Sequence, residues 1–217
     1  SGPPGPLAGR ECWCALDLAS TGDTSAFLAV FPAPDGTIDV VSKFWIPGEN
    51  AIERESKDRV PYVQWANDPS TGLTMCDGNV TDFDVIRRDV LNFSKAHNVK
   101  RIALDMWNAT QLSLQLQGDG LDVVAFRPSF GAMSSPSKML ETLVLSGRLR
   151  HGGNPILSWM AGNVSVRTNA DGAIRPVKPQ KGSVERIDGI VALVMALGVY
   201  ESQKPVEEKP KPSIIIL

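Results

Sequence analysis

A mixed α/β domain, a central sheet flanked by helices, is the fold class this sequence predicts. The first third reads as three apolar strand runs joined by two short turns, which makes an antiparallel meander. Beyond residue 50 the apolar spacing lengthens from two to three and four, and helical stretches alternate with short strands. Three aspartates, Asp17, Asp105 and Asp188, each stand at the edge of an apolar element, where a carboxylate is costly unless a cation meets it.

At 217 residues and 42% apolar, the chain suffices for one well-buried domain and leaves little for a second. The net charge of −2 announces neither nucleic-acid nor membrane binding, but its distribution is uneven. Between residues 49 and 89 acids outnumber bases nine to five; between 127 and 188 bases outnumber acids nine to four. A basic second half suits an anionic polymer, although a solvated surface gives the same bias. Three cysteines without a repeating spacing fit neither a disulfide framework nor a zinc pattern. Cys12 and Cys14 share one strand face and read as small apolar packing. No signal peptide is evident, and the longest apolar stretch, residues 187–200, is too short to cross a bilayer. A reducing, cytosolic setting is expected, with no membrane partner.

Residues 1–10, with three prolines and three glycines, read as a flexible lead-in. Strands are expected at 12–18, 25–31 and 37–45, with Asp35-Gly36 as the second hairpin turn. Residues 50–64 read as a helix ended near Pro61, and 65–79 as polar and irregular. Phe83, Ile86, Val90 and Phe93 mark an amphipathic helix over 82–97. A fourth strand at 101–105, a helix at 108–117, a fifth strand at 122–126 and a helix at 134–146 stopped by Gly147 follow. Residues 156–166 read as helix breaking into strand, 168–184 as a hairpin around Asp171-Gly172, and a final helix begins near Ile187. The domain is expected over 11–202, with 203–217 a flexible, Lys/Pro/Glu-rich tail.

If the first and fourth strands are parallel neighbours, Asp17 and Asp105 emerge at one sheet edge, and a helix opening at Asp188 and packed across the sheet aims a third acid there. Like charges that close need cations between them. Oxygen ligands without His or Cys favour Mg²⁺ or Mn²⁺ over zinc, and two such ions suit an in-line phosphodiester displacement. Taken singly, Asp17 also reads as a turn residue, Asp105 as a helix cap and Asp188 as a first-turn acid favoured by the helix dipole. His97 and His151 are candidate general bases that such a site does not require. Of the tryptophans, Trp107 is the one expected near the site, while Trp45, Trp65 and Trp159 suit core packing. Gly189 permits either close helix packing or approach of a substrate.

These residues resemble a known family, the nuclease domain of the large terminase subunit of tailed bacteriophages, an RNase H-like (retroviral integrase-like) fold. The resemblance rests on Leu16-Asp17-Leu18-Ala19-Ser20-Thr21-x-Asp23, on Ala103-Leu104-Asp105-Met106-Trp107-Asn108-Ala109, on the segment from His151 through Trp159-Met160-Ala161-Gly162-Asn163, and on Arg186-Ile187-Asp188-Gly189-Ile190 with the apolar run to Ala196. It implies that Asp17, Asp105 and Asp188 are catalytic, metal-binding acids, and that Asp23 is an accessory acid or a further metal ligand. It also implies two divalent ions, Mg or Mn, and cleavage of concatemeric double-stranded DNA during genome packaging in the host cytoplasm. An ATPase domain and a portal or procapsid would be partners. No Gly-x-x-x-x-Gly-Lys-[Ser/Thr] occurs in this chain, so ATP binding has no motif here.

Phosphate contacts are expected from Arg167, Arg175, Lys178, Lys181 and Arg186, and from Lys138, Arg148 and Arg150. The alternatives are another RNase H-like nuclease of resolvase or transposase type, and a non-catalytic module docking on the motor or portal, for which the apolar tip of the tail is a candidate.

Overall fold

The computed structural model describes residues 5–19, 24–49, 51–105, 109–180 and 185–203. Its meander comprises β1 (Glu11–Asp17), β2 (Ser25–Pro32) and β3 (Ile38–Pro47), paired antiparallel as expected. Outside β3 lies β4 (Leu73–Cys76); beyond β1 lie β5 (Asn98–Leu104) and β6 (Val123–Ala125), all joined in parallel. The sheet order is β4-β3-β2-β1-β5-β6, and β7 (Leu149–Arg150) pairs with the start of β3. The long connections, each carrying a helix, supply the crossovers that parallel pairing needs.

Those connections hold α1 (Ala51–Asp58), α2 (Tyr62–Ala66), α3 (Phe83–Ala96), α4 (Thr110–Gly118) and α5 (Phe130–Leu145). After β7 come α6 (Pro155–Gly162), the separate hairpin β8 (Ser165–Thr168) and β9 (Ile174–Val177), and α7 (Asp188–Glu201). Period-two alternation gives the sheet two apolar faces. Cys12, Cys14, Leu16, Ile102 and Leu104 pack under α3 and α4, whereas Ala15, Ala103 and the meander's other face pack under α7. Most of α7 is buried, which explains its nearly all-apolar sequence.

Gly189 serves that packing. A Cβ there would lie 3.0 Å from both Met160 Sδ and Phe44 Cε1 and 3.2 Å from Leu157 Cδ1, so α7 rests directly on α6 and β3.

Three expectations change in the structure. The single helix over 50–64 is two, because Pro61 cannot continue α1; Arg59 turns the chain with a φ of 56°. The irregular stretch 65–79 contains β4, too short to show alternation and formed only because β3 offers it an edge. Helix α5 starts at Phe130 instead of 134: Ser129 caps it by accepting from the Ala132 amide, and the internal Pro136 disguises its first turns.

Residues 5–10 are fastened to the domain. Arg10 and Arg150 both grip the fully buried Asp39, each with an N–O distance of 2.7 Å, and the Gly9 amide donates to Ala96 O. The expected tail beyond residue 203 lies outside the described residues.

Candidate active site

Asp17 is the last residue of β1, and Asp105 follows the last residue of β5. The two strands are parallel and paired through Leu16 opposite Leu104, so the aspartates leave adjacent strands in the same row, about 4.8 Å apart at the backbone. Leu16 and Leu104 point toward α3 and α4; one residue on, the alternation turns both carboxylates to the α7 face. Asp188, the first residue of α7, arrives on that face because α7 crosses β1 and β2.

The charges register this convergence. Burial pushes the Asp17 carboxyl well above the usual range, the negative charges of Asp188 and Asp105 add to the rise, and Lys178 offsets part of it. Asp188 is pushed up to about 6, chiefly by burial and further by Asp58, against the pull of Lys178, Arg186 and its own backbone amide. Both aspartates keep partial solvent contact although protein surrounds them on most sides. Asp188 Oδ2 is buried and accepts no hydrogen bond. Among the described residues, no three His, Cys, Asp or Glu side chains stand close enough to enclose a metal ion. The acids therefore form an electrostatic cluster, and not a closed cage. An all-carboxylate donor set, mutually repelling, with one buried oxygen unpartnered, nonetheless fits a hard divalent cation.

Residues 2–203 match the family described as terminase large subunit, endonuclease domain. The chain belongs to that family. It is 33% identical over 206 residues to Protein YmfN of Escherichia coli strain K12, covering 90% of this chain and 45% of that protein. It is 31% identical over 196 residues to the large terminase subunit of Enterobacteria phage HK97, covering 89% of this chain and 38% of the phage protein. The crystal structure of the HK97 large terminase superposes with a TM-score of 0.82 at 30% identity, over 91% of this chain and 41% of that one. The large terminase nuclease of thermophilic phage G20c, solved with bound magnesium, shares the fold at a TM-score of 0.56 and 11% identity, over 88% of this chain and 84% of that one. The chain thus spans less than half the length of the curated relatives it matches, and its sheet and helices are those of an RNase H-like terminase nuclease domain.

The basic residues separate by where the fold places them. Lys178, just beyond β9, acts on the charges of Asp17 and Asp188, and it lines a 560 Å³ cavity with the exposed Arg167. The end of the hairpin thus brings one cationic side chain, Lys178, near the acids. Arg175 and Arg186 are engaged with partners inside the protein. Arg175 donates to Pro128 O at 3.1 Å and stacks 4.8 Å over the Phe130 ring, fixing the hairpin to α5. Arg186 pairs with Asp58 at 3.2 Å with only 12% of its side chain exposed. Arg148 and Arg150 sit at the opposite end of the sheet, beside the β2–β3 turn and Asp39, because β7 joins the start of β3 while Asp17 aligns with its far half. Lys138 is exposed on α5. Asp23, Trp107 and Lys181 lie outside the described residues.

Neither histidine stands near the acids. His97 packs against Phe31 and Phe93 at the start of β5, and His151 follows β7. Trp45 is fully buried and donates to Asp89, while Trp65 and Trp159 cluster with Tyr62. Cys12 and Cys14 are buried free thiols, 3.9 Å apart. Sequence reasoning missed Asp58 and Tyr62, which reach the site's edge from α1 and α2; no spacing or motif marks either.

Proposed function

We propose that this domain is a divalent-metal-dependent endonuclease that cuts double-stranded DNA in viral genome packaging, with Asp17, Asp105 and Asp188 as its catalytic acids. The observation that carries this reading is the convergence, on one sheet face, of three carboxylates from two adjacent parallel strands and a helix start, with Asp105 and Asp188 both near enough to Asp17 to disfavour its charge. Magnesium bound to a terminase nuclease of the same fold supports the choice of ion. Asp17 and Asp188 would hold the ions with Asp105, and Asp23 is a candidate fourth acid. Bound there, two Mg²⁺ or Mn²⁺ ions would supply charge stabilisation on both sides of the scissile phosphodiester.

The chain's own groups do the rest. Asp17 and Asp188, whose carboxyls burial raises, are poised to lose protons when cations arrive. Lys178 stands beside them and, with Arg167 along the adjoining cavity, would neutralise the DNA backbone through sequence-independent phosphate contacts. The intact partner set, an ATPase domain and a portal, would deliver the duplex and restrain cutting.

The test is nicking and linearisation of plasmid by the purified chain with Mg²⁺, Mn²⁺ or EDTA, beside Asp17→Asn, Asp105→Asn and Asp188→Asn. Metal-dependent cutting is expected, and each folded variant is expected to lose it. Equal cutting by wild type and variants would remove the assignment.

A further inference from the structure

The residue that opens α7 is the third acid, and its placement depends on the two residues before it. Arg186 is held at both of its ends. Its guanidinium Nε meets Asp58 Oδ2 at 3.2 Å, and its carbonyl oxygen accepts from Asn163 Nδ2 at 3.0 Å, at the end of α6. One anchor comes from α1 and the other from α6, and Ile187, between Arg186 and Asp188, is buried. No slack separates the clamp from the carboxylate.

Asp58 is unusual in this role. Its side chain is 1% exposed, and it stands near enough to Asp188 to disfavour that residue's charge. A domain selected only for stability gains little from burying a like charge beside an active-site acid. Tyr62 donates its hydroxyl to the same Asp58 Oδ2 at 2.7 Å, while Asp58 Oδ1 is buried with no hydrogen-bond partner. Arg59, immediately after Asp58, adopts a φ of 56°, a conformation that non-glycine residues seldom hold unless surrounding contacts enforce it. A continuous polar chain, Tyr62–Asp58–Arg186, therefore joins α2 and α1 to the segment that delivers Asp188.

We propose that Asp58 is a positioning residue of the metal site, which through Arg186, and braced by Tyr62, fixes Asp188 at the distance from Asp17 that a shared cation requires. This rests on the reading of Asp17, Asp105 and Asp188 as metal-binding acids. Asp58 itself touches neither substrate nor reacting atoms; it sets how tightly the ion is held.

The experiment is calorimetric titration of the full chain with Mn²⁺ alone, beside plasmid cutting over a range of Mn²⁺ concentrations, for wild type, Asp58→Asn, Tyr62→Phe and Asp188→Asn. Removing a group that orients a metal ligand typically costs about 10–100-fold in metal affinity, so Asp58→Asn is expected to bind Mn²⁺ at least about 10-fold more weakly and to shift half-maximal cutting by the same factor, with a plateau rate reduced less than about threefold. Wild-type Mn²⁺ affinity in folded Asp58→Asn would overturn the proposal. A collapse of its plateau rate would overturn it too, by putting Asp58 in the chemistry. If circular dichroism shows Asp58→Asn unfolded, Tyr62→Phe decides, since it removes one hydroxyl: Mn²⁺ binding weakened about threefold or more supports the clamp, and unchanged binding refutes it. Asp188→Asn separates the two levels. Its loss of Mn²⁺ binding and cutting beside an unaffected Asp58→Asn sinks the clamp alone, whereas its wild-type behaviour sinks the acid site and the clamp together.

Discussion

Asp188→Asn is expected to make the metal-free domain more stable at pH 8 while abolishing its chemistry. In the fold, burial and Asp58 hold the carboxyl up at about 6 against an ordinary 3.8. That difference is about 3 kcal/mol between charged and neutral forms, and the residue's partial solvent contact reduces it to roughly 1–3 kcal/mol. The sign follows from proton binding. Between the two values the folded state holds more protons than the unfolded chain, so this group's contribution to stability falls as pH rises from about 4 and is lost above about 6. Asparagine keeps the shape and removes the penalty. For a chain of this size, 1 kcal/mol moves the melting temperature by about 2–4 °C, so a gain of about 2–12 °C is expected at pH 8 in EDTA. Thermal melts followed by circular dichroism at pH 8 and pH 5 measure it. His151, whose imidazole burial pushes below its usual value, opposes the trend in either protein and cancels in the difference between them. The gap should narrow at pH 5, where wild-type Asp188 is mostly protonated, and with millimolar Mg²⁺, which stabilises only the form that binds it. A variant no more stable than wild type at pH 8 in EDTA would refute the account of a strained, cation-seeking carboxylate.

Gly189→Ala gains helix propensity of up to about 1 kcal/mol but forces its Cβ against Phe44, which is fully buried; overpacking of about 1–3 kcal/mol should prevail and lower the melting temperature, and a rise would contradict the packing described. Asp39→Asn should destabilise by about 2–4 kcal/mol, because it leaves Arg10 and Arg150 without their shared buried partner. Although burial pushes the Asp39 carboxyl up, hydrogen bonds from Arg150, Arg10 and Gly5 hold it below the usual range. Its contribution is therefore complete above about pH 4 and vanishes as pH falls through its folded value, so denaturant melts of wild type and variant should converge in acid. Lys178→Gln removes the cation that offsets charge on Asp17 and Asp188. In an Asp105→Asn background, duplex binding followed by anisotropy should weaken and its log–log salt slope should fall by about 1, while an unchanged slope would take Lys178 off the phosphate path.

Much of the fold was legible because its signals are local. The meander follows from apolar runs interrupted by Asp35-Gly36 and its neighbours, α3 from the spacing of Ile86, Val90 and Phe93, and α7 from an apolar run too long for a strand. What was not legible depended on partners distant in sequence. Strands β4 and β7 are short segments that become strands only on the edge β3 provides. The basic residues show the same division: Arg175, Arg186 and Arg150 looked alike as exposed cations, yet one stacks on Phe130, one is buried on Asp58 and one clasps Asp39 at the far end of the sheet.

The sequence by itself determined that three aspartates stand at the edges of apolar elements, and the cost of burying a carboxylate was reason enough to bring them together. Tertiary structure alone decided how they meet. Parallel pairing of β1 with β5 sets Asp17 beside Asp105, the period-two alternation turns both toward α7, and Gly189 lets α7 lie close enough for Asp17 to feel Asp188. It also decided that Asp58, indistinguishable in the sequence from its acidic neighbours on α1, is the one turned inward, since which side of a short helix becomes its buried side is fixed by what packs against it and not by its own residues.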